Sequence, residues 1–245
     1  MRRGQFIKTS VLTAVGVALS QNLLFASTYQ NQLSYSELIG KGEPRLWGDG
    51  FQIRKEAFTA FENMRKAAQK EGISLSAVSS YRNYAHQNRI WERKFKRYTA
   101  QGMDGLSAIK KLIEYSTIPG TSRHHWGTDM DLIDTSVAQP SSVLVPSHFE
   151  IGGCFEKMKL WMDKHSESYG FYLVYTKEPS RKGFKYEPWH YSFKPLSQAY
   201  LKAYRQLDFS EIILAEQLMG CEYFTPAFIS QYLNENVLSI NPQLL

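Results

Sequence analysis

Cysteine is nearly absent: Cys154 and Cys221 are the only two in 245 residues. That scarcity excludes a disulfide-framed miniature domain, and the spacing excludes a zinc site built on thiolates. In an exported chain the two thiols could join; otherwise they are isolated buried side chains. Long apolar runs are also lacking. Residues 11–19 carry no charge, but Gln21 and Asn22 interrupt the run before the roughly 18 residues that a bilayer span needs. A permanent transmembrane helix is therefore the weaker expectation. No internal repeat is visible, which excludes a solenoid. What is present is ordinary for a folded domain: 43% hydrophobic and 14% aromatic residues suffice for a core and exclude disorder as the default.

The first residues read as an export signal, with Arg2, Arg3 and Lys8 as a positive region before the apolar stretch. Cleavage is expected near residues 26–28, with an uncleaved anchor as the alternative. The segment from Arg2 to Lys8 resembles a twin-arginine signal with one extra residue before Phe6, so that route and the general secretory one are equally supported. The protein is thus expected in the periplasm or cell envelope, without a stable membrane span after signal removal. Beyond residue 28 there are 26 basic and 23 acidic residues, an excess of three. This suits an anionic envelope polymer and argues against nucleic acid as a partner. The densest basic run, Arg89, Arg93, Lys94, Lys96 and Arg97 between Trp91, Phe95 and Tyr98, reads as the solvated face of an amphipathic helix.

Residues 29–50 are glycine-rich and aperiodic, an irregular lead-in. Ala57, Phe58, Phe61, Met64, Ala67 and Ala68 then recur at helical spacing, with Gly72 as the stop. Ile73, Leu75 and Ala77 alternate as in a strand. Further helices are predicted over 84–98, 107–115 and 155–168, the last closed near Gly170, and strands over 128–134 and 171–175. After Lys194 the pattern is helical to 207, again over 211–218, and over 226–233. Strands and helices mixed at irregular intervals predict an α+β fold rather than a doubly wound one. The expected organisation is a signal over 1–28, one domain over 29–207, and a helical extension over 208–245 packed on that domain.

The chemistry concentrates in two segments, residues 119–131 and 186–191. His124, Asp131 and His190 offer two imidazoles and a carboxylate, the donor set of an open catalytic zinc site. Glu187 would be the base beside it, close to the metal without binding it. Residues three apart on a regular strand point to opposite faces, so a bend around Pro188 is predicted to turn Glu187 and His190 into one cavity. Asp129 shares a strand face with Asp131 and could compete as a ligand or act from behind one; Asp131 is favoured.

These segments resemble the S-x-H-x-x-G-x-x-x-D and E-x-W-H motifs of the VanY-type zinc D-alanyl-D-alanine carboxypeptidases, a family that also contains L,D-carboxypeptidases and endopeptidases. Ser79-Ser80-Tyr81-Arg82 through Gln87 resembles the family's third motif, with Asn83 where the family has Ser. Three motifs in order, over roughly residues 33–200, make chance an unattractive explanation. The resemblance implies a single α+β domain like the Hedgehog signalling domain, with an antiparallel sheet and flanking helices. It implies zinc on His124, Asp131 and His190, catalysis by Glu187, and substrate binding by Arg82, whose planar fork suits a carboxylate or oxyanion. Ser122 and Gln87 are implied to bind the peptide or brace the site, and Trp189 to pack beside the metal. The implied substrate is a peptidoglycan stem peptide.

Against this stand plainer expectations. His86, His125, His148 and His165 are read as satisfied polar residues, and Tyr81, Tyr84 and Trp126 as packing. A non-catalytic wall-binding module with structural zinc is the competing class, yet structural sites close all four positions with protein ligands and this set offers three. Within the enzyme reading, L,D-carboxypeptidase and endopeptidase activities stand as alternatives.

Overall fold

The computed structural model describes residues 33–245, so the predicted export signal lies outside the described residues. A single helical turn, Tyr35–Leu38, and an irregular stretch lead into helix α1 (Lys55–Lys70), whose apolar face buries Ala57, Phe61, Met64 and Ala68. Strand β1 (Leu75–Ser79) follows. Helix α2 (Tyr84–Ala100) starts at Asn83, whose side chain accepts the His86 backbone N–H at 2.8 Å. Helix α3 (Gly105–Leu112) begins two residues before the expected start, because the Asp104 side chain caps it there, and ends earlier, at Ile113.

Strand β2 (Asp129–Asp134), helix α4 (Glu156–His165), strand β3 (Phe171–Leu173), strand β4 (His190–Phe193) and helix α5 (Lys194–Tyr204) complete the part that carries the site. The four strands pair antiparallel in the order β1-β2-β4-β3. This is the α+β arrangement that the sequence predicted. Side chains on a strand alternate between faces, and the sheet divides its residues accordingly. Met130, Leu132, Tyr191 and Phe193 pack with α1 and α4 around Phe61, Met64 and Met162. The polar residues Asp129, Asp131, His190 and Ser192 face the other way, and all four are buried. Nothing in the local pattern marked β4, which spans four residues and runs straight into α5.

Residues 208–245 form the short helices α6 (Phe209–Leu214) and α7 (Pro226–Tyr232), the latter extended by a π turn over Leu233–Val237. Phe209, Ile213, Leu218 and Ile229 share a second core cluster with Trp91 of α2, Trp126 and Tyr200 of α5. Both cysteines are free thiols. Among the described residues, no helix is long and apolar enough to cross a membrane.

Candidate active site

Two adjacent strands bring the predicted ligands together. Asp131 on β2 and His190 on β4 are direct cross-strand partners, a relation that holds Cβ atoms within roughly 4.5–5.5 Å. His124 arrives from the 3₁₀ turn Arg123–Trp126, which Gly127 closes at φ 69° before β2 begins. A side chain at position 127 would strain that left-handed backbone and press on Leu46. His124, Asp131 and His190 each present one ligand atom within 4.8 Å of the others, and all three are buried.

The hydrogen bonds decide which ring atoms face the centre. His124 Nδ1 lies 2.8 Å from the Ser80 carbonyl, which can only accept, so Nδ1 carries the proton and Nε2 is left for the centre. That Nε2 stands 3.5 Å from Asp131 Oδ2. His190 Nε2 lies 3.1 Å from Asp129 Oδ2, and its Nδ1 faces Glu187 Oε2 at 3.0 Å and Asp131 Oδ1 at 3.6 Å. Asp131 Oδ1 is buried with no hydrogen-bond partner. A buried carboxylate whose two oxygens each face an imidazole nitrogen, one of them without a donor, fits a divalent cation, and the N₂O donor set suits zinc.

Asp129 is engaged elsewhere. Its Oδ2 accepts from Arg123 Nε at 2.7 Å as well as from His190, and its Oδ1 accepts from Ser192 Oγ and Thr128 Oγ1, each at 2.7 Å. Four donors saturate the carboxylate. Asp129 therefore stands behind His190 and orients its ring, while Asp131 keeps an oxygen without a donor and is the aspartate that converges with the two histidines.

Charge follows from these partners. Burial, with Arg82 nearby, pushes His124 down to about 4, so it is neutral and able to ligate. Burial also pulls on His190, but the hydrogen bonds to Asp129 and Glu187 win and raise it to about 9. Burial raises both aspartates, and their cationic neighbours outweigh it. Arg123 with His190 acts on Asp129, and His124 with His190 on Asp131, holding both well below the ordinary carboxylate range. Glu187 goes the other way, because burial raises it more than His190 lowers it.

The predicted bend is present. The His190 backbone N–H donates to the Glu187 carbonyl at 3.2 Å across Pro188 and Trp189, which brings both side chains to one side. Above them lies a cleft of about 660 Å³ lined by Arg82, Ser122, Tyr175 and Trp189 together with the ligands and Glu187. Arg82 is held through its backbone, its N–H donating to the His124 carbonyl at 3.1 Å and its C=O accepting from His125 Nδ1 at 2.6 Å. The Arg82 Nε and the Ser122 Oγ are buried without partners. Burial lowers the Arg82 pKa, with Asp131 and Glu187 opposing.

Of the two roles expected for Gln87, the geometry matches the bracing one: it is buried outside the cleft lining, and its Nε2 donates to the Thr117 carbonyl at 2.9 Å in the loop before the metal corner. The same loop is pinned from two other helices. The Ile118 N–H donates to Tyr232 Oη at 3.0 Å, and Tyr204 Oη donates to the Gly120 carbonyl at 2.7 Å. His125 is the backbone partner expected of it, with Nε2 accepting the Gly120 N–H at 3.2 Å, and burial pushes it down to about 3. Arg123, Ser192 and Ser80 were not singled out from the sequence. The only available signal was an Arg and an Asp flanking the His124 segment.

Fold and site together define a class: α+β domains with an antiparallel sheet that presents three converging candidate metal ligands to a cleft. The sequence model of the VanY D-alanyl-D-alanine carboxypeptidase family matches residues 50–196, more than half of the chain, and the protein belongs to that family. Among curated relatives, the putative carboxypeptidase YodJ of Bacillus subtilis is 34% identical over 142 residues, covering 56% of this chain and 45% of the relative. A D-alanyl-D-alanine carboxypeptidase of Enterococcus faecalis is 24% identical over 65% of this chain and 53% of its own length. The chain thus spans about half the length of these two relatives. A solved structure of a variant of the vancomycin-resistance D,D-pentapeptidase VanY in complex with Zn(II) shares the fold at a TM-score of 0.52 and 23% identity, over 67% of this chain and 85% of its own. VanYB in complex with D-alanine-D-alanine does so at 0.51 and 21%, over 72% and 92%.

Proposed function

We propose that this protein is an exported zinc carboxypeptidase that hydrolyses the terminal peptide bond of peptidoglycan stem peptides of the D-alanyl-D-alanine type. One observation carries the reading: three buried ligands converge while Glu187, 3.0 Å from His190 Nδ1, stays outside the set at the floor of a cleft. A structural metal site has no use for that extra acid or for an open approach. The VanY structure with Zn(II) and the VanYB structure with D-alanine-D-alanine support the same reading by fold. The basic and apolar character of residues 2–19 supports export.

Zinc held by His124, Asp131 and His190 supplies Lewis-acid polarisation of the scissile carbonyl and a water acidified to a pKa of about 7. The chain's own residues do the rest. Glu187 takes the proton from the attacking water and passes it to the leaving amine, and its raised pKa brings it nearer the working pH. Arg82 directs its buried, unpartnered Nε to the substrate's terminal carboxylate or the developing oxyanion. Ser122 Oγ offers a further hydrogen bond from the cleft wall.

The test is mass spectrometry of zinc-loaded protein incubated with stem pentapeptide and, separately, stem tetrapeptide. Loss of one D-alanine from the pentapeptide, abolished by chelation and restored by zinc, is the expected result. Cleavage of the tetrapeptide alone would reassign the enzyme as an L,D-carboxypeptidase, and internal cleavage as an endopeptidase. Zinc-loaded protein inert on every peptide would overturn the proposal.

A further inference from the structure

The helix wall of the cleft carries charge that the reaction above does not use. His86, Ile90, Arg93 and Lys94 line the cleft, at the spacing of one helical face, while Gln87 and Trp91 on the adjoining face of α2 are buried. Of the other cations of this helix, Lys96 pairs with Glu92 at 3.7 Å, the Arg97 guanidinium stacks over Tyr98 at 4.8 Å, and Arg89 lies outside the cleft lining. Arg93 and Lys94 have no carboxylate within ion-pair distance among the described residues. Lys94 donates to the buried Ser116 Oγ, which fixes its ammonium at the wall and leaves two of its three donors for other partners.

The carboxylates that line the cleft are Asp131 and Glu187, and both serve the metal corner. An anchored ammonium and an exposed guanidinium therefore face a cavity whose own carboxylates belong to the metal corner. Burial lowers the Lys94 pKa, and the neighbouring Arg97, Arg82 and Arg93 lower it further against an opposing pull from Glu187. The facing walls include Tyr115, Leu144, Val145 and Pro146, which suit an aliphatic chain. From Tyr84 at the helix start to Lys94 is roughly 15 Å of helix, about the reach of four or five extended residues. A single short peptide can meet Arg82 and this pair together.

We infer that Arg93 and Lys94 form a subsite for a second carboxylate of the substrate peptide, one that lies upstream of the scissile bond. The inference rests on the cleft being a peptide site, as proposed above. Stem peptides offer two such groups, the α-carboxylate of the γ-linked D-glutamate and the side-chain carboxylate of a diamino diacid. Both present the same chemistry to a guanidinium and an ammonium. The subsite makes the enzyme discriminate between free-acid and amidated walls.

The experiment measures calorimetric binding of four synthetic stem pentapeptides, with each of the two carboxylates free or amidated, to zinc-loaded Glu187→Ala protein at 50 and 300 mM NaCl. At low salt the peptide with the relevant free acid should bind about tenfold more tightly than its amide, and the gap should narrow at high salt. Which amidation removes the gap identifies the carboxylate. Adding Arg93→Ala and Lys94→Ala should leave zinc content and melting temperature unchanged and make acid and amide equal. Equal binding by the parent, or a preference that survives the two substitutions, overturns the subsite. Turnover by the protein with Glu187 intact is scored separately. An acid preference without turnover overturns the reaction and leaves the subsite standing; turnover without a preference does the reverse.

Discussion

The two walls of the cleft are built on opposite principles. On the sheet wall, most polar groups near the metal corner have partners: Asp129 takes four donors, and the outward nitrogen of each ligating histidine is fixed by a carbonyl or a carboxylate. On the helix wall and the loop that leads into it, Arg82 Nε has no partner, and Arg93 and Lys94 have no counter-ion among the described residues. Buried polar groups that are fully satisfied rigidify a site, whereas cations without a counter-ion remain available to a ligand. The contrast assigns chemistry to the sheet and recognition to the helix.

Substitutions should separate the two walls by what they change. The largest effect belongs to Glu187→Ala, which is expected to lower kcat by about 10²–10⁴-fold while zinc content by atomic absorption stays near one per chain. Loss of the metal in that variant would mean that Glu187 is a ligand. Arg82→Ala should cost about 10²–10³-fold in kcat/KM, also with zinc retained, since Arg82 is not among the three converging ligands. A sheet-wall change without direct contact comes next. Asp129→Ala frees the His190 ring and should weaken zinc binding about 10–100-fold in a competition assay against a chromophoric chelator.

The pH dependence distinguishes the two ligating histidines. His190, raised to about 9 without metal, must lose its proton to ligate, and His124, lowered to about 4, need not. Zinc uptake at pH 7.5 should therefore release about one proton, and apparent affinity should climb about tenfold per pH unit up to the His190 pKa. The stability of the metal-free protein moves oppositely. A raised folded pKa contributes stability that is complete below His190's ordinary value of 6.5 and lost as pH rises toward 9, so its melting temperature should fall across that window. The smallest effect lies furthest from the chemistry. Tyr232→Phe leaves the buried Ile118 N–H without its acceptor and should cost about 1–3 kcal/mol in denaturant unfolding, with the metal corner itself intact.

How much of this was legible in the sequence follows the same division. The helices of the core were readable because Phe61, Met64 and Ala68 repeat at helical spacing. The metal corner was readable because its residues sit in two short segments, and Pro188 announced the bend that unites Glu187 with His190. Register was not readable. That Asp131 stands opposite His190 depends on pairing β2 with β4 across residues 135–189, and β4 is too short to declare itself. The partners of Asp129 depend on the same pairing. The motif left Gln87 two roles, binding the peptide or bracing the site; the rotation of α2, with Trp91 in the core, buries Gln87 and places Arg93 and Lys94 at the cleft. The basic run therefore reads as a solvated face from sequence, and part of it is a wall of the site.

The most direct test is anomalous diffraction at the zinc edge from crystals of the zinc-loaded protein. One peak per chain is expected, bonded to His124 Nε2, Asp131 and His190 Nδ1, with Glu187 beside it and unbound. A peak bonded to Asp129 in place of Asp131, or no peak between the two imidazoles, would contradict it.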